Sequence, residues 1–215
     1  MKTKIVCLAN SKKYSERCVA GVEVQDTDKG YQIIYEANKP KWIRPVSQSS
    51  YGEFPARIAS DINLLDIVEF EIVKPCPKSY QSENVYFAKN SVKKVSSIRL
   101  TNKNLARLIH DRLTLFGNRG KAVHEEVIDS INYSLMFIRA ENYELFVKPE
   151  NNQLRMKFEY NNCKYDLPIT DISFESSFRR NNQILDNASN LYLTISLAIV
   201  NNGWHSKLIA GVIYI

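Results

Sequence analysis

Apolar and β-branched residues fall along this chain in short runs, each ending at Asn, Asp, Gly, Pro or Ser. Runs of this length and composition read as strands closed by turns. The first set lies at residues 4–9, 18–24, 31–35, 42–46 and 65–73. Five short strands in so little chain predict a small closed sheet, because closure removes the edges that would otherwise pair with other chains. Pro75 and Pro77 cannot donate to a ladder, so residues 75–100 read as a loop or edge segment leading out of that sheet.

The period changes at Thr101. This residue is a candidate N-cap, Leu105, Leu108, Ile109 and Leu113 follow at helical spacing, and Gly117 is a stop signal. The pattern predicts a helix with Lys103, Arg107 and Arg112 on its polar face, and a second short helix over 123–131. Strand-like runs return at 134–138, 143–147, 154–160, 163–167, 191–199 and 208–215. Within them, Glu159-Tyr-Asn-Asn-Cys-Lys164 predicts a hairpin, since Asn161 and Asn162 tolerate the positive φ of a tight turn. The expected fold class is mainly β (α+β), two small β-barrels joined by a short helical connector. The expected boundaries are 1–98, 99–132 and 133–215.

A chain of 215 residues is long enough for one large or two small domains, and 44% hydrophobic content lets it bury a proper core. Its net charge of +6 is unevenly spread. Residues 1–100 hold 16 basic and 11 acidic groups, residues 101–130 hold 5 and 4, and residues 131–215 hold 8 and 8. A basic first half suits contact with a polyanion, where Lys and Arg release phosphate counterions. Cys7, Cys18, Cys76 and Cys163 are scattered without a C-x-x-C pair, which fits a reducing compartment. Without a charged and apolar leader or a membrane-length apolar run, the expectation is a cytoplasmic protein that does not enter membranes.

Enzyme signatures fail on spacing. His124-Glu-Glu-Val-Ile128 opens like a zincin helix but has Ile where the second zinc ligand belongs. His110, His124 and His205 are far apart, so no protein-bound metal and no cofactor is expected. No Asp or Glu has Lys two residues later, and Asp66 with Glu69, Glu71 and Lys74 lacks the nuclease arrangement. Asp166 and Asp171 bracket Leu-Pro-Ile-Thr, where they can cap the next element or hold a cation. No catalytic residue is assigned.

Aromatic residues interleaved with bases are the stronger signal. Tyr14, Tyr31, Tyr35, Trp42, Tyr51, Phe54 and Tyr80 lie among Lys12, Lys13, Arg17, Lys41, Arg44 and Arg57. A single-strand platform needs this mixture of flat rings for bases and cations for the backbone. Lys12, Lys13, Arg17 and Arg44 are read as surface groups, and Trp42 shares a strand face with Arg44. Gly117-Asn-Arg-Gly120-Lys121 adds Arg119 and Lys121 as candidate phosphate contacts. The candidate nucleic-acid site is therefore Lys12, Lys13, Arg17, Lys41, Trp42, Arg44, Arg119 and Lys121. Arg155, Lys157, Lys164 and Lys207, in the neutral last part, are expected to contribute less.

Three blocks carry a resemblance: Lys4-Ile-Val-Cys-Leu-Ala-Asn-Ser11, Arg17-Cys-Val-Ala-Gly21 and Lys41-Trp-Ile-Arg-Pro-Val-Ser47. So do Leu64-Leu-Asp-Ile-Val-Glu-Phe70, Ser79-Tyr-Gln-Ser-Glu-Asn84, Ile138-Arg139, Tyr165-Asp-Leu-Pro-Ile-Thr-Asp171, Leu193-Thr-Ile-Ser-Leu197 and Lys207-Leu-Ile-Ala-Gly211. In this order they resemble the dual OB-containing domain family of prokaryotic proteins. The resemblance implies two OB-type barrels and an association with conflict or mobile-element systems. The function expected is a non-catalytic module for single-stranded or structured DNA or RNA. Two alternatives stand: an adaptor whose barrels dock a protein partner encoded nearby, and a metal-dependent enzyme acting on nucleic acid or nucleotide through Asp166 and Asp171.

Overall fold

The computed structural model describes residues 1–49, 51–99 and 101–215. The chain divides into two units, Met1–Thr101 and Asn102–Ile215.

In the first unit the strands are β1 (Lys2–Lys13), β2 (Glu16–Thr27), β3 (Gly30–Ile33), β4 (Tyr35–Glu36), β5 (Lys39–Pro40), β6 (Trp42–Val46), β7 (Asp66–Pro75), β8 (Asn84–Phe87) and β9 (Lys93–Ser97). A short helix, α1 (Ala56–Ala59), lies between β6 and β7. The barrel runs β1-β2-β6-β8-β7 and closes through β1 against β7, with every pairing antiparallel except β6 with β8. This strand order is that of an OB barrel. Ile5, Val19, Ile43, Val68 and Phe70 point into its core, where Phe54 stacks on Phe87 with ring centroids 4.8 Å apart. Gly21 is required for the β1–β2 pairing: a Cβ there would lie 2.0 Å from the Val6 carbonyl oxygen. The ladder skips Leu8 at this point, and the bulge bends the sheet towards closure.

The first barrel corrects one expectation. Its fifth strand is β8, inside the stretch read as a loop or edge segment leading out of the barrel, whereas β3 hangs on β2 outside the barrel. Four residues with no alternating pattern cannot advertise a strand; parallel pairing with β6 makes β8 one.

The second unit contains α2 (Asn102–Ala106), β10 (Ala122–His124), α3 (Glu125–Ile128), β11 (Leu135–Lys148), β12 (Gln153–Tyr160), β13 (Cys163–Pro168), α4 (Ile172–Arg180), β14 (Leu191–Leu197) and β15 (Trp204–Tyr214). The sheet order is β10-β15-β14-β11-β12-β13. It curls until Ile169, just past β13, forms a parallel bridge with Ile209 of β15. The Thr170 N–H donates to the Ile209 carbonyl at 2.8 Å. Beneath β10, this repeats the first unit: three antiparallel strands, a helix, two more strands, and parallel contact between third and fifth. The fold is therefore mainly β with two OB-like units.

Two apolar runs expected as separate strands are one strand, β11, bent by a bulge between Glu141 and Glu144 where Asn142 takes φ +47°. The Asn161-Asn162 turn forms as expected, with φ +48° and +59°. The helix predicted from Thr101 to Gly117 stops at Ala106. Beyond it, tertiary partners take the backbone groups: the His110 N–H donates to the Phe137 carbonyl, and the Arg112 and Leu115 amides donate to the hydroxyls of Tyr160 and Tyr165. Leu113, placed by periodicity on the buried stripe, is 86% exposed. The helix expected over 123–131 begins as β10, and only Glu125–Ile128 is helical, with His124 as its N-cap.

Candidate nucleic-acid interface

The β1–β2 hairpin end gathers three of the expected cations. Lys12 and Arg17 are direct cross-strand partners, as are Lys13 and Glu16. Residues opposed in this way share a face, so two positive charges stand side by side at Lys12 and Arg17, an arrangement that costs stability without an anion. Among the described residues neither side chain is in an ion pair. Arg17 is also fixed by its backbone, exchanging hydrogen bonds of 3.0 and 2.8 Å with Phe54.

Tyr14 occupies the hairpin tip with φ +53°, and its ring meets Tyr51 at 4.6 Å between centroids, tilted by 39°. Both rings are open to solvent, at 55% and 52% exposure. Lys13 ties the two loops together by donating to the Tyr51 carbonyl. Burial pushes the Lys13 ammonium below its ordinary value, and the positive charges of Arg44 and Lys78 add to that push. Lys78, on the loop between β7 and β8, thus belongs to the same electrostatic neighbourhood. Both tyrosines are visible in the sequence as aromatics among bases, but their pairing joins segments that only the fold brings together.

The three candidates around β6 are more deeply set. Ile43 enters the core, so Trp42 and Arg44 take the opposite face. Lys41 pairs with Glu23 at 2.7 Å, and Trp42 is half-buried opposite Val22. Arg44, expected at the surface, is only 3% exposed. Its guanidinium reaches Glu83 at 2.8 Å, and its N–H donates to the Glu83 carbonyl at 2.9 Å. The 76–83 segment, read as part of a loop or edge segment, supplies Glu83 to this strand and converts a surface position into a buried ion pair. Tyr80 lies beside the pair, and burial pushes its hydroxyl up to about 12.

Arg119 and Lys121 belong to the second unit. Their loop is organised by Lys207, a fully buried lysine. Its Nζ donates to the Asn118 carbonyl, Asn118 Oδ1 and the Gly120 carbonyl at 2.9, 2.9 and 2.8 Å. It also stands 5.5 Å from the Tyr165 ring centre, and burial lowers its pKa to about 8. Lys207 therefore anchors this loop. The Gly120 N–H, which a phosphate-binding loop would offer, donates to Asn118 Oδ1. Arg119 and Lys121 line a concave surface of about 550 Å³ with Lys157, Lys164, Glu144 and Glu159. Its charges are largely internally paired: Lys157 with Glu144, Lys164 with Glu159, and Lys121 with Asp166.

Asp166 and Asp171 are held apart by structural duties. Asp166 accepts from Arg155 Nε at 2.7 Å. Burial raises its pKa, but the Arg155 bond and charge outweigh that and hold it below the usual carboxylate range. Asp171 caps α4, accepting from the Phe174 N–H at 3.0 Å and from the Val212 N–H at 3.0 Å. Among the described residues no group of three or more His, Cys, Asp or Glu side chains could hold a metal ion. No described helix is long and apolar enough to cross a membrane.

Two solved structures align over the whole chain at low similarity. One is a tetrameric p202 HIN2, at 10% identity, TM-score 0.29 and 92% coverage of that chain. The other is a replication protein A heterotrimer bound to ssDNA, at 10% identity and TM-score 0.37; this protein spans 48% of that longer chain. Comparison with curated proteins returned no match. The dual OB-containing domain family matches residues 3–212, nearly the whole chain and both OB-like units, and the chain belongs to that family.

Proposed function

We propose that the first unit binds single-stranded nucleic acid at the β1–β2 hairpin. The observation that carries this reading is the exposed Tyr14–Tyr51 pair, locked by Lys13 and flanked by the unpaired cations Lys12 and Arg17. Stacking a base on an aromatic ring contributes about 1–3 kcal/mol and tolerates any sequence. The two rings already touch, so a base stacks on an outer face rather than between them. Lys12, Arg17 and Lys78 then follow the phosphates. Arg44 acts from beneath, holding the 76–83 segment in place.

The second unit serves as support, because its concave face is largely neutralised by its own ion pairs. The protein acts as a binding module rather than as an enzyme, in the cytoplasmic defence or mobile-element setting that the family resemblance implies. Fluorescence anisotropy with labelled single-stranded oligonucleotides, across a salt series, tests the reading. Affinity should fall linearly on a log–log plot as salt rises. Absence of binding at low salt would overturn it, as would salt-independent binding. Divalent-metal-dependent cleavage of the same oligonucleotide would favour the enzyme alternative.

A further inference from the structure

A second surface is built on different chemistry. Strand β10 forms the outer edge of the second sheet, and its last residue, His124, is the cross-strand partner of Trp204 at the start of β15. The indole is 49% exposed, and the His124 ring meets it edge-on at 4.6 Å between centroids. The main chain there is fixed by a turn: Trp204 and Asn201 exchange backbone hydrogen bonds of 3.1 and 2.9 Å. Gly203 gives that turn its left-handed φ of +79°.

Two carboxylates stand on the segments next to the Trp204–His124 pair. The Glu125 N–H donates to the Gly203 carbonyl at 2.9 Å. A Cβ on Gly203 would lie 3.6 Å from Glu125 Oε1 and 3.7 Å from His124 Nε2, so both groups crowd the residue next to the indole. The Glu126 amide donates to His124 Nδ1 at 3.4 Å, with its carboxylate 3.5 Å from the same nitrogen. Among the described residues neither Glu125 nor Glu126 has a lysine or arginine partner. Val127 and Val200 are exposed on the segments that carry these groups.

An open indole accepts a cation on its π-face, and arginine also stacks flat on it. Two unpaired carboxylates select the same ligand by charge and repel phosphate. Because the chain as a whole carries +6, a cationic ligand has to find its attraction locally. We propose that Trp204, Glu125 and Glu126 form a docking surface for a basic segment of a protein partner. An arginine or lysine of that segment lies on the indole, its charge facing the two carboxylates. This surface belongs to the second unit, and the hairpin interface to the first.

The test uses the full chain and a short dye-labelled peptide alternating arginine and glycine, with an aspartate–glycine peptide as control. The arginine peptide should bind at low salt and the aspartate peptide should not. Trp204→Ala should weaken the arginine peptide by about 3- to 30-fold, the range expected for a cation–π contact. The exposed double substitution Glu125→Gln, Glu126→Gln leaves the fold's contacts in place and should weaken it comparably. It therefore decides the matter if Trp204→Ala fails to fold. No binding of the arginine peptide, equal binding of both peptides, or unchanged affinity in the carboxylate variant would overturn the proposal. Loss of oligonucleotide binding in a folded Trp204→Ala variant, with peptide binding intact, would reassign the indole to nucleic acid.

Discussion

The buried ammonium of Lys207 is grasped by both oxygens of one residue, Asn118, whose backbone carbonyl and side-chain carbonyl each lie 2.9 Å from it. A charge removed from water is tolerated only when its donors are all used, and the third goes to the Gly120 carbonyl. The loop bearing Arg119 and Lys121 is thereby pinned to β15.

Lys207→Met keeps the stem of the side chain and deletes the charge: the Gly120 carbonyl loses its donor, while Asn118 Oδ1 keeps the Gly120 N–H and the Asn118 carbonyl keeps the Tyr165 hydroxyl. An acceptor that loses its donor away from water costs about 1–3 kcal/mol, partly offset here by relief of the lysine's desolvation. The expected net loss is about 2 kcal/mol in urea unfolding. Faster amide exchange should be confined to residues 118–121. Unchanged stability would mean that the loop does not depend on the anchor.

Asp171 makes stability depend on pH. Burial pushes its carboxyl up to about 6 from an ordinary value of 3.8, against the pull of amides that bond to its ionised form. Between those values the native chain retains a proton that the unfolded chain has released. The stability it contributes is fully present below 3.8 and is lost as pH rises through 6. At about 1.4 kcal/mol for each unit, the loss is about 3 kcal/mol. Urea midpoints measured from pH 4 to pH 7 should show this fall in the native protein and lose it in Asp171→Asn.

The Arg44–Glu83 pair is a stability element. Breaking a buried ion pair from one side leaves an uncompensated charge and costs about 3–5 kcal/mol. Arg44→Met and Glu83→Gln should each lower the thermal midpoint sharply. The double variant should lose less than the sum, and a double-mutant cycle measures the difference. Additive losses would show that the two groups do not act together.

What could be read along the chain was whatever depends on near neighbours. The apolar runs of β1 and β2, the alternation of β12 and β13 and the Asn161-Asn162 turn are local, and they stand where their patterns place them. Strand β8 and the unwound stretch after Ala106 are decided by partners far along the chain: β6 in one case, the hydroxyls of Tyr160 and Tyr165 in the other. The same division holds at the candidate interface. Lys12, Lys13 and Arg17 announce themselves by composition on one hairpin. By contrast, nothing near Arg44 signals Glu83, and nothing near Lys207 signals Asn118.

The tyrosine pair offers the sharpest separation of binding from folding. Both rings are exposed, so Tyr14→Ala and Tyr51→Ala should each leave the unfolding midpoint within experimental error. Each should weaken single-stranded oligonucleotide binding by about 1–3 kcal/mol, with the salt slope unchanged, because stacking releases no counterions. Lys12→Ala and Lys78→Ala should weaken binding as well, and each should also lower the slope by about one as a phosphate goes without its cation. Isothermal titrations at several salt concentrations give both quantities from the same data. If the tyrosine variants change the slope but not its extrapolated intercept, the rings only position the cations. If Lys157→Ala and Lys164→Ala lower the slope as much as Lys12→Ala does, the second barrel shares the ligand, and the assignment of binding to the hairpin end alone fails.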